Sequence, residues 1–225
     1  EVLLEAVVAG VGQQVQHEAF LTLLAGQAGV HTQPVVTAGV TVEDDALLVL
    51  RPIGRPLASV QDGWAPDKTV NRVWQVVGRL HAARIVHGQL DAHHLVAVGD
   101  DEVGLIGFQA AMVGPSEELL RTDEAQAIVT TALIAGAEPA LRGALEALGP
   151  DGVTATLPFL QEPALTAPQR AEVRAAALDL DELRARAAEL AGVPAPALQK
   201  LRRVTLGSIL QVLLMGVAFF ALLTA

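Results

Sequence analysis

Residues 80–111 read LHAARIVHGQLDAHHLVAVGDDEVGLIGFQAA, and this stretch decides how the rest of the chain is interpreted. It opens at the end of an amphipathic helix predicted over residues 68–84, where apolar side chains recur every three or four positions. A compact loop over 86–95 leads to a strand over 95–98, and a Gly-Asp-Asp-Glu turn joins that strand to another over 103–108. The stretch therefore predicts a helix, a histidine-rich loop and a β-hairpin.

The flanking segments predict a few strands before this stretch and mostly helices after it. A helix over 16–28 precedes strands over 35–42 and 46–50, which the acidic turn Glu43–Asp45 separates. Residues 51–56 (RPIGRP) break the strand pattern and predict a linker. After Gly114-Pro115 the apolar spacing is helical over 117–135, 139–148, 153–160 and 169–190. The fold class predicted is α+β.

The helix predicted near the end of this region, residues 168–190, has dense Arg and Glu pairs on an Ala/Leu background. Pairs at i,i+4 spacing are typical of a surface helix. The alternatives are that it packs against a partner helix or lies near a membrane, although its mixed charge disfavours simple adsorption to lipid.

Leu80 to Ala111 resembles the catalytic-loop and metal-loop region of protein-kinase-like proteins, in particular the bacterial and small-molecule branch. In this resemblance Leu80-His81 ends the long helix, His87-Gly88 starts the catalytic loop, and residues 106–109 form the metal loop. The loop, the hairpin and the apolar positions agree together over about thirty residues.

The flanks of the stretch are similar to the same family more loosely. His17-Glu18 resembles the segment that holds the regulatory-helix Glu, and residues 46–57 resemble the last N-lobe strand and the hinge. Asp123 matches the structural Asp that anchors the catalytic loop from below. The resemblance implies a kinase-like fold with a reduced N-lobe over 1–52 and a mainly helical C-lobe over 53–190.

The positions that carry kinase chemistry are replaced in this chain. The catalytic carboxylate that orients the acceptor hydroxyl corresponds to Gln89, and the metal-binding Asn corresponds to His94, a poor ligand for Mg²⁺. The metal-loop Asp corresponds to Gly107, and the Gly after its Phe corresponds to Gln109.

Two further elements of the phosphate site are missing from the sequence. The only lysines are Lys68 and Lys200, neither in the N-lobe portion, and no GxGxxG loop precedes Glu18. Without these groups the electrostatic and positioning terms of phosphoryl transfer are lost. The sequence thus predicts a pseudokinase, not an enzyme, with no cofactor and no catalytic residue.

The densest cluster of potential metal ligands consists of His87, His93 and His94 with Asp91. These residue types suit zinc, but adjacent histidines normally point in different directions and no HExxH spacing exists. Asp91, two residues displaced, could instead stand in for the missing catalytic Asp. The simpler interpretation is that His87 is a structural loop histidine and that the other two have no special role.

The apolar mass of the chain is concentrated at its C-terminus. Residues 204–225 contain no charge, and as a helix they would extend about 33 Å, enough to cross a bilayer. Lys200, Arg202 and Arg203 stand just before this segment and favour a cytoplasmic N-terminal side. We expect a linker and basic boundary over 191–203 and a transmembrane helix over 204–225, the first of several; a buried helix of a soluble domain is the alternative.

The composition of the chain excludes several other classes of protein. Because there is no cysteine, disulfide scaffolds and thiolate sites are ruled out. A net charge of −10 argues against nucleic-acid binding, which needs a basic face. Trp64 and Trp74 are expected to pack in the core and not to stack on bases.

The architecture, a degenerate kinase-like region before a membrane span, resembles actinobacterial integral-membrane proteins of the flippase-like, lysylphosphatidylglycerol-synthase transmembrane group. This resemblance implies a plasma-membrane protein whose cytoplasmic domain docks a protein partner or regulates handling of a lipid or lipid-linked substrate. One alternative is a phospholipid-modifying membrane enzyme, of the aminoacyl-phosphatidylglycerol type, with its catalytic part outside this chain. Another is a nucleotide or metabolite sensor, for which the best-placed residues are Glu18, Gln89, His94, Gly107 and Gln109.

Overall fold

The computed structural model describes residues 11–41, 45–59, 66–99, 101–194 and 196–199. Within them the chain is α+β and mostly helical. The α-helices of this part of the chain are α1 Val11–Gln27, α2 Pro66–Ala82, α3 Glu117–Ala135, α4 Ala137–Thr156, α5 Ala167–Ala175 and α6 Leu180–Ala191. The strands are β1 His31–Thr32, β2 Val35–Val40, β3 Ala46–Leu50, β4 Arg55–Pro56, β5 Ile85–Val86, β6 Leu95–Val98, β7 Glu102–Leu105 and β8 Met112–Val113.

The described strands form three small sheets. The largest sheet has the order β1-β7-β6-β4, with β1 parallel to β7 and the other pairs antiparallel. β2 and β3 form an antiparallel pair, and so do β5 and β8. In the β6–β7 hairpin Leu95 lies opposite Leu105, and both are fully buried, which fixes the hairpin against the core.

Helix α3 runs through the middle of the helical region. Ser116 caps its N-terminus by accepting a hydrogen bond from the Leu119 amide, which explains why the helix begins just after Gly114-Pro115. Apolar and polar side chains of its central turns are both buried, because α2, α4 and α5 all pack against it. A helix buried on several sides can supply polar groups to the core only where partners satisfy them.

Helix α2 confirms the amphipathic pattern predicted for residues 68–84. The side chains of Val70, Val73, Trp74, Val77 and Leu80 lie in the core. Trp74 is 4% exposed, as expected for a packing residue, whereas Trp64 lies outside the described residues.

Four local predictions were wrong. The segment predicted as a linker contains β4, in which Arg55 and Pro56 pair with Ala97 and Val96. This pairing is between residues about forty positions apart, so the local break in pattern could not reveal it.

The helix predicted over 169–190 is two helices, α5 and α6. Ala177 adopts a positive φ of 51°, and the Asp179 carboxylate then accepts the amides of Asp181 and Glu182 as the cap of a new helix. One face of each helix is buried in the core, at Val173 on α5 and at Leu183 on α6.

The break predicted between residues 148 and 153 is confirmed: Gly149 has a non-helical φ of 68° before Pro150 and kinks α4 there. The last turn predicted as helix, up to residue 160, is a 3-10 turn over Leu157–Phe159. The second strand of the hairpin, predicted to reach 108, ends at Leu105 and is followed by a 3-10 turn over Phe108–Ala110.

Among the described residues, no helix combines the length and the apolar character that crossing a membrane requires. The predicted span, residues 204–225, lies outside the described residues, as do Lys200, Arg202 and Arg203. Glu43 and Asp44 of the predicted acidic turn are also outside them.

Candidate functional site

A buried carboxylate on α3 holds the start of the loop between β5 and β6. Asp123 is 1% exposed, and its two oxygens accept the backbone amides of His87 at 2.7 Å and Gly88 at 2.8 Å. Gly88 has a φ of +77°, which lets both amides point at the same side chain. The contact predicted for Asp123 is confirmed: it anchors the loop from below.

The His87 ring joins this loop to the segment after β7. Its Nε2 lies 3.1 Å from the carbonyl oxygen of Ile106, and the ring stacks edge-on against Phe108 with centroids 4.9 Å apart. Burial lowers the pKa of His87 to about 4, against an opposing effect of the Asp123 charge. His87 is therefore a neutral structural histidine that donates from Nε2, as the simpler interpretation of the sequence expected.

The side chains of three residues lie next to one another in a line, in the order Glu18, Gln109, Gln89. One amide atom of Gln109 lies 3.1 Å from Gln89 Oε1, and the other lies 3.3 Å from Glu18 Oε1. Because a carboxylate oxygen only accepts hydrogen bonds, the Gln109 nitrogen belongs on the Glu18 side. The structure thus brings Glu18, Gln89 and Gln109 together.

Helix α1 is positioned so that Glu18 can reach this line. His17 Nε2 lies 3.1 Å from the Ala111 carbonyl oxygen, which ties α1 to the segment that carries Gln109. Burial raises the pKa of Glu18, and a hydrogen bond from the Phe108 amide partly offsets this. Glu18 forms no ion pair with a Lys or Arg of the described ranges, so the carboxylate has only hydrogen-bonding partners there.

Gly107 contributes backbone only, and the site has no room for more. Its φ of +73° is left-handed, and a Cβ there would lie 2.8 Å from His94 Cδ2. The imidazole of His94 therefore lies where a side chain at position 107 would begin.

Asp91 and His94 form a close pair that the sequence did not predict. Asp91 is fully buried, and its Oδ1 lies 2.7 Å from His94 Nδ1. The same oxygen accepts the amides of His93 and His94, while Oδ2 accepts the Thr166 hydroxyl at 2.8 Å. Burial alone would raise the pKa of Asp91, but the hydrogen bonds from His94, Thr166 and His93 outweigh it and lower the pKa.

These contacts bear on the prediction that Asp91 could act as a catalytic carboxylate. Both oxygens are occupied by loop groups and by Thr166, and none of the carboxylate is exposed. Asp91 cannot reach an acceptor hydroxyl from this position. The D-x-x-H spacing was the only local signal of the pair, since Thr166 lies 75 residues away.

His93 points away from its neighbour. Its Nε2 lies 3.1 Å from the Glu172 carboxylate on α5, and its side chain is 53% exposed. In the described part of the chain, no three His, Asp or Glu side chains converge as a metal ion would require. His87, His93 and His94 therefore face three different partners and do not form a zinc cluster.

A buried polar network supports the middle of the loop. The Leu90 amide donates to Gln126 Oε1 at 2.9 Å, and its carbonyl accepts the Thr130 hydroxyl at 2.7 Å. Gln169, on α5, bridges the Gln126 carbonyl and the Thr130 hydroxyl, each at 2.8 Å. These side chains satisfy the backbone amide and carbonyl of Leu90 and hold the middle of the loop in place. Periodicity could not identify them, because Gln and Thr in a helical pattern predict a solvent-facing position.

No family model matches this chain, and no curated protein matches it.

Proposed function

We propose that this chain is a catalytically inactive kinase-like domain, tethered to a membrane, that acts by docking or regulating a protein partner. One observation supports the proposal: the Asp123 carboxylate accepts the His87 and Gly88 amides, and the residue directly after them, Gln89, is neutral. Under the resemblance to kinase-like proteins this loop would present a catalytic carboxylate at position 89, where this chain has an amide.

The loss of chemistry extends to the metal loop. Gly107 supplies no oxygen ligand, and His94 Nδ1 is already engaged by Asp91. Phosphoryl transfer depends almost entirely on positioning and on charge stabilisation by metal ions and cations. Positions 89, 107 and 109 have neutral groups, so these residues do not supply the charge stabilisation on which phosphoryl transfer depends.

The membrane part of the proposal rests on the sequence of residues 204–225 and on the basic residues before it. A charge-free segment of this length is a candidate span. Under the resemblance to flippase-like membrane proteins, the kinase-like domain would lie in the cytoplasm and act on lipid or lipid-linked substrate handling by the membrane domain.

The catalytic half is tested with the whole 225-residue chain in detergent micelles, by titrating ATP with and without Mg²⁺ and following release of product. We expect no turnover above that of a sample lacking protein. Mg²⁺-dependent turnover that Asp91→Asn abolishes would refute the inactive assignment. Gln89→Glu is a matched variant, because it returns a carboxylate to the same exposed position without altering the buried loop contacts.

The membrane half is tested by flotation of the chain with lipid vesicles after an alkaline carbonate wash. We expect wild-type chain to float with the vesicles and Leu214→Arg to do so poorly, because an Arg at the middle of a span costs about 3 kcal/mol. Recovery of wild-type chain in the carbonate supernatant would exclude a span at 204–225.

A second candidate, a metabolite sensor, is favoured by the Glu18–Gln109–Gln89 line. The side-chain amides of Gln89 and Gln109 approach to 3.1 Å, and Gln109 is exposed, so a ligand could contact them. A thermal-shift series with ATP and lipids, with and without metal, tests it; a ligand-dependent rise in melting temperature that Gln109→Ala removes supports sensing, and an unchanged melting temperature throughout excludes it for these ligands.

A further inference from the structure

We propose that Asp91 and His94 form a proton-accepting pair, and that His94 Nε2 is the atom through which this cleft engages a ligand bearing an O–H or N–H group. This goes beyond the proposed function, which concerns only the loss of phosphoryl transfer and the tether. The steps below rest on the contacts of the two side chains.

Both carboxylate oxygens of Asp91 accept hydrogen bonds. Four donors reach its two oxygens: His94 Nδ1, the amides of His93 and His94, and the Thr166 hydroxyl. Thr166 is itself fixed, because it caps α5 in a capping box with Gln169. The carboxylate therefore holds the imidazole in one orientation, which is what a buried acid does beside a catalytic or ligand-binding histidine.

The pairing also determines the tautomer of the ring. An ionised carboxylate only accepts hydrogen bonds, so the proton of a neutral imidazole lies on Nδ1. The lone pair is then on Nε2. Since His87 next to it is buried and neutral, with ring centroids 5.6 Å apart, no second positive ring competes for the Asp91 charge.

His94 Nε2 has no hydrogen-bonding partner among the described residues. The His94 side chain is 19% exposed, whereas that of Asp91 is fully buried. Nε2 and a side-chain amide atom of Gln109 both lie within 3.3 Å of the point where a Cβ on Gly107 would be. Because position 107 has no side chain, these two polar groups come close to each other beside the loop backbone.

The charged side chains near His94 Nε2 and Gln109 indicate which class of ligand could bind there. Within the described ranges, no Lys or Arg contacts Glu18, Gln89, His94 or Gln109. A phosphate would have no cationic partner here, and a divalent ion would find one imidazole and no converging carboxylates. A neutral hydroxyl- or amide-bearing molecule fits, with its donor on Nε2 and its acceptor on the carboxamides.

The chemical step available is a proton transfer. The O–H proton of the ligand moves to Nε2, the electron pair stays on the ligand oxygen, and the Asp91 carboxylate stabilises the imidazolium that forms. Nothing is oxidised or reduced, and the Nδ1 proton stays in its bond to Asp91.

The proposal is tested by the reaction of the whole chain, in detergent micelles, with diethyl pyrocarbonate, followed at each histidine by mass spectrometry. The imidazole lone pair attacks a carbonyl carbon, and the C–O bond to the ethyl carbonate leaving group breaks. The acylated ring loses its other N–H proton, and the ethyl carbonate takes up a proton and decays to ethanol and carbon dioxide. We expect fast reaction at His94, a rate about tenfold or more lower in Asp91→Asn, and an unchanged rate in His93→Gln. His93 is a matched control because it is adjacent, more exposed and paired with Glu172 only at its outer nitrogen.

Equal rates at His94 in wild type and Asp91→Asn, or no reaction at His94, would overturn the proposal. If Asp91→Asn does not fold, ¹⁵N spectra of histidine-labelled wild type decide: an Nδ1-protonated, Nε2-unprotonated ring that His94→Gln removes supports the pair, and the opposite tautomer refutes it. These readouts are independent of ATP turnover, so the proposed function and the proton-accepting pair can fail separately.

Discussion

Substitution of Asp123 provides the sharpest test of the loop scaffold. Asp123→Ala removes the acceptor of two amide hydrogen bonds of 2.7 and 2.8 Å at a position that is 1% exposed. A hydrogen bond to a charged group contributes about 1.5–3 kcal/mol, and the buried amide of His87 would be left without an acceptor. We expect the free energy of unfolding to fall by about 3–5 kcal/mol, a large part of the total for a domain of this size.

Asp123→Asn refines the estimate, because its carbonyl oxygen can still accept one of the two amides while its nitrogen faces the other. We expect a loss of about 2–3 kcal/mol, between wild type and the alanine variant. The assay is urea unfolding in non-ionic detergent, with Trp74 fluorescence as the reporter in a Trp64→Phe background. Glu189→Gln, an exposed carboxylate on α6, is the control and should change stability by no more than about 0.5 kcal/mol.

A loss of less than about 1 kcal/mol in Asp123→Ala would refute the anchoring role, since two buried unsatisfied amides cost more than that. Hydrogen exchange gives a local check. The amides of His87 and Gly88 should exchange slowly in wild type and quickly in Asp123→Ala, and equal protection in the two proteins would also contradict the contact.

Three further predictions test particular positions. Gly107→Ala should lower stability by about 1–2 kcal/mol in a thermal melt, because its backbone is left-handed and its Cβ would meet the neighbouring imidazole. Stability should fall as the pH drops from 6.5 towards 4, because burial lowers the pKa of His87 to about 4 and the unfolded chain takes up the proton first; His87→Gln should flatten this part of the profile in urea denaturation. Gly143→Ala should cost about 1–3 kcal/mol, because its Cβ would overlap Val70 Cγ1, whereas Gly78→Ala, which meets nothing within 4 Å, should be neutral or stabilising in the same assay.

The elements that the sequence predicted well are those whose signals are local. Helix α3 was predicted at residues 117–135 and is found there, because a Gly-Pro break and a Ser cap precede it. The hairpin of β6 and β7 follows from two apolar runs and a turn rich in Gly and Asp. In both cases the boundary-setting residues lie within the element or next to it.

The features that the sequence did not predict depend on contacts between residues far apart in the chain. β4 exists because Arg55 and Pro56 meet the edge of β6, and α5 holds the loop because Thr166 reaches Asp91. Within the site, Asp123 was found through the resemblance to kinase-like proteins. The Asp91–His94 pair was not, because a loop brings residues three apart together only in a particular backbone conformation.

Positions 94 and 107 are sterically coupled. A Cβ at position 107 would lie 2.8 Å from His94 Cδ2, so a side chain cannot be accommodated there while the imidazole keeps its place. The imidazole keeps its place because Asp91 holds Nδ1 at 2.7 Å, and Asp91 is held by Thr166, the N-cap of α5. A substitution at 107 alone therefore meets a steric barrier, and a substitution at 94 alone leaves the buried Asp91 carboxylate without its imidazole partner. We therefore expect a larger side chain at 107 to be tolerated only together with a smaller one at 94.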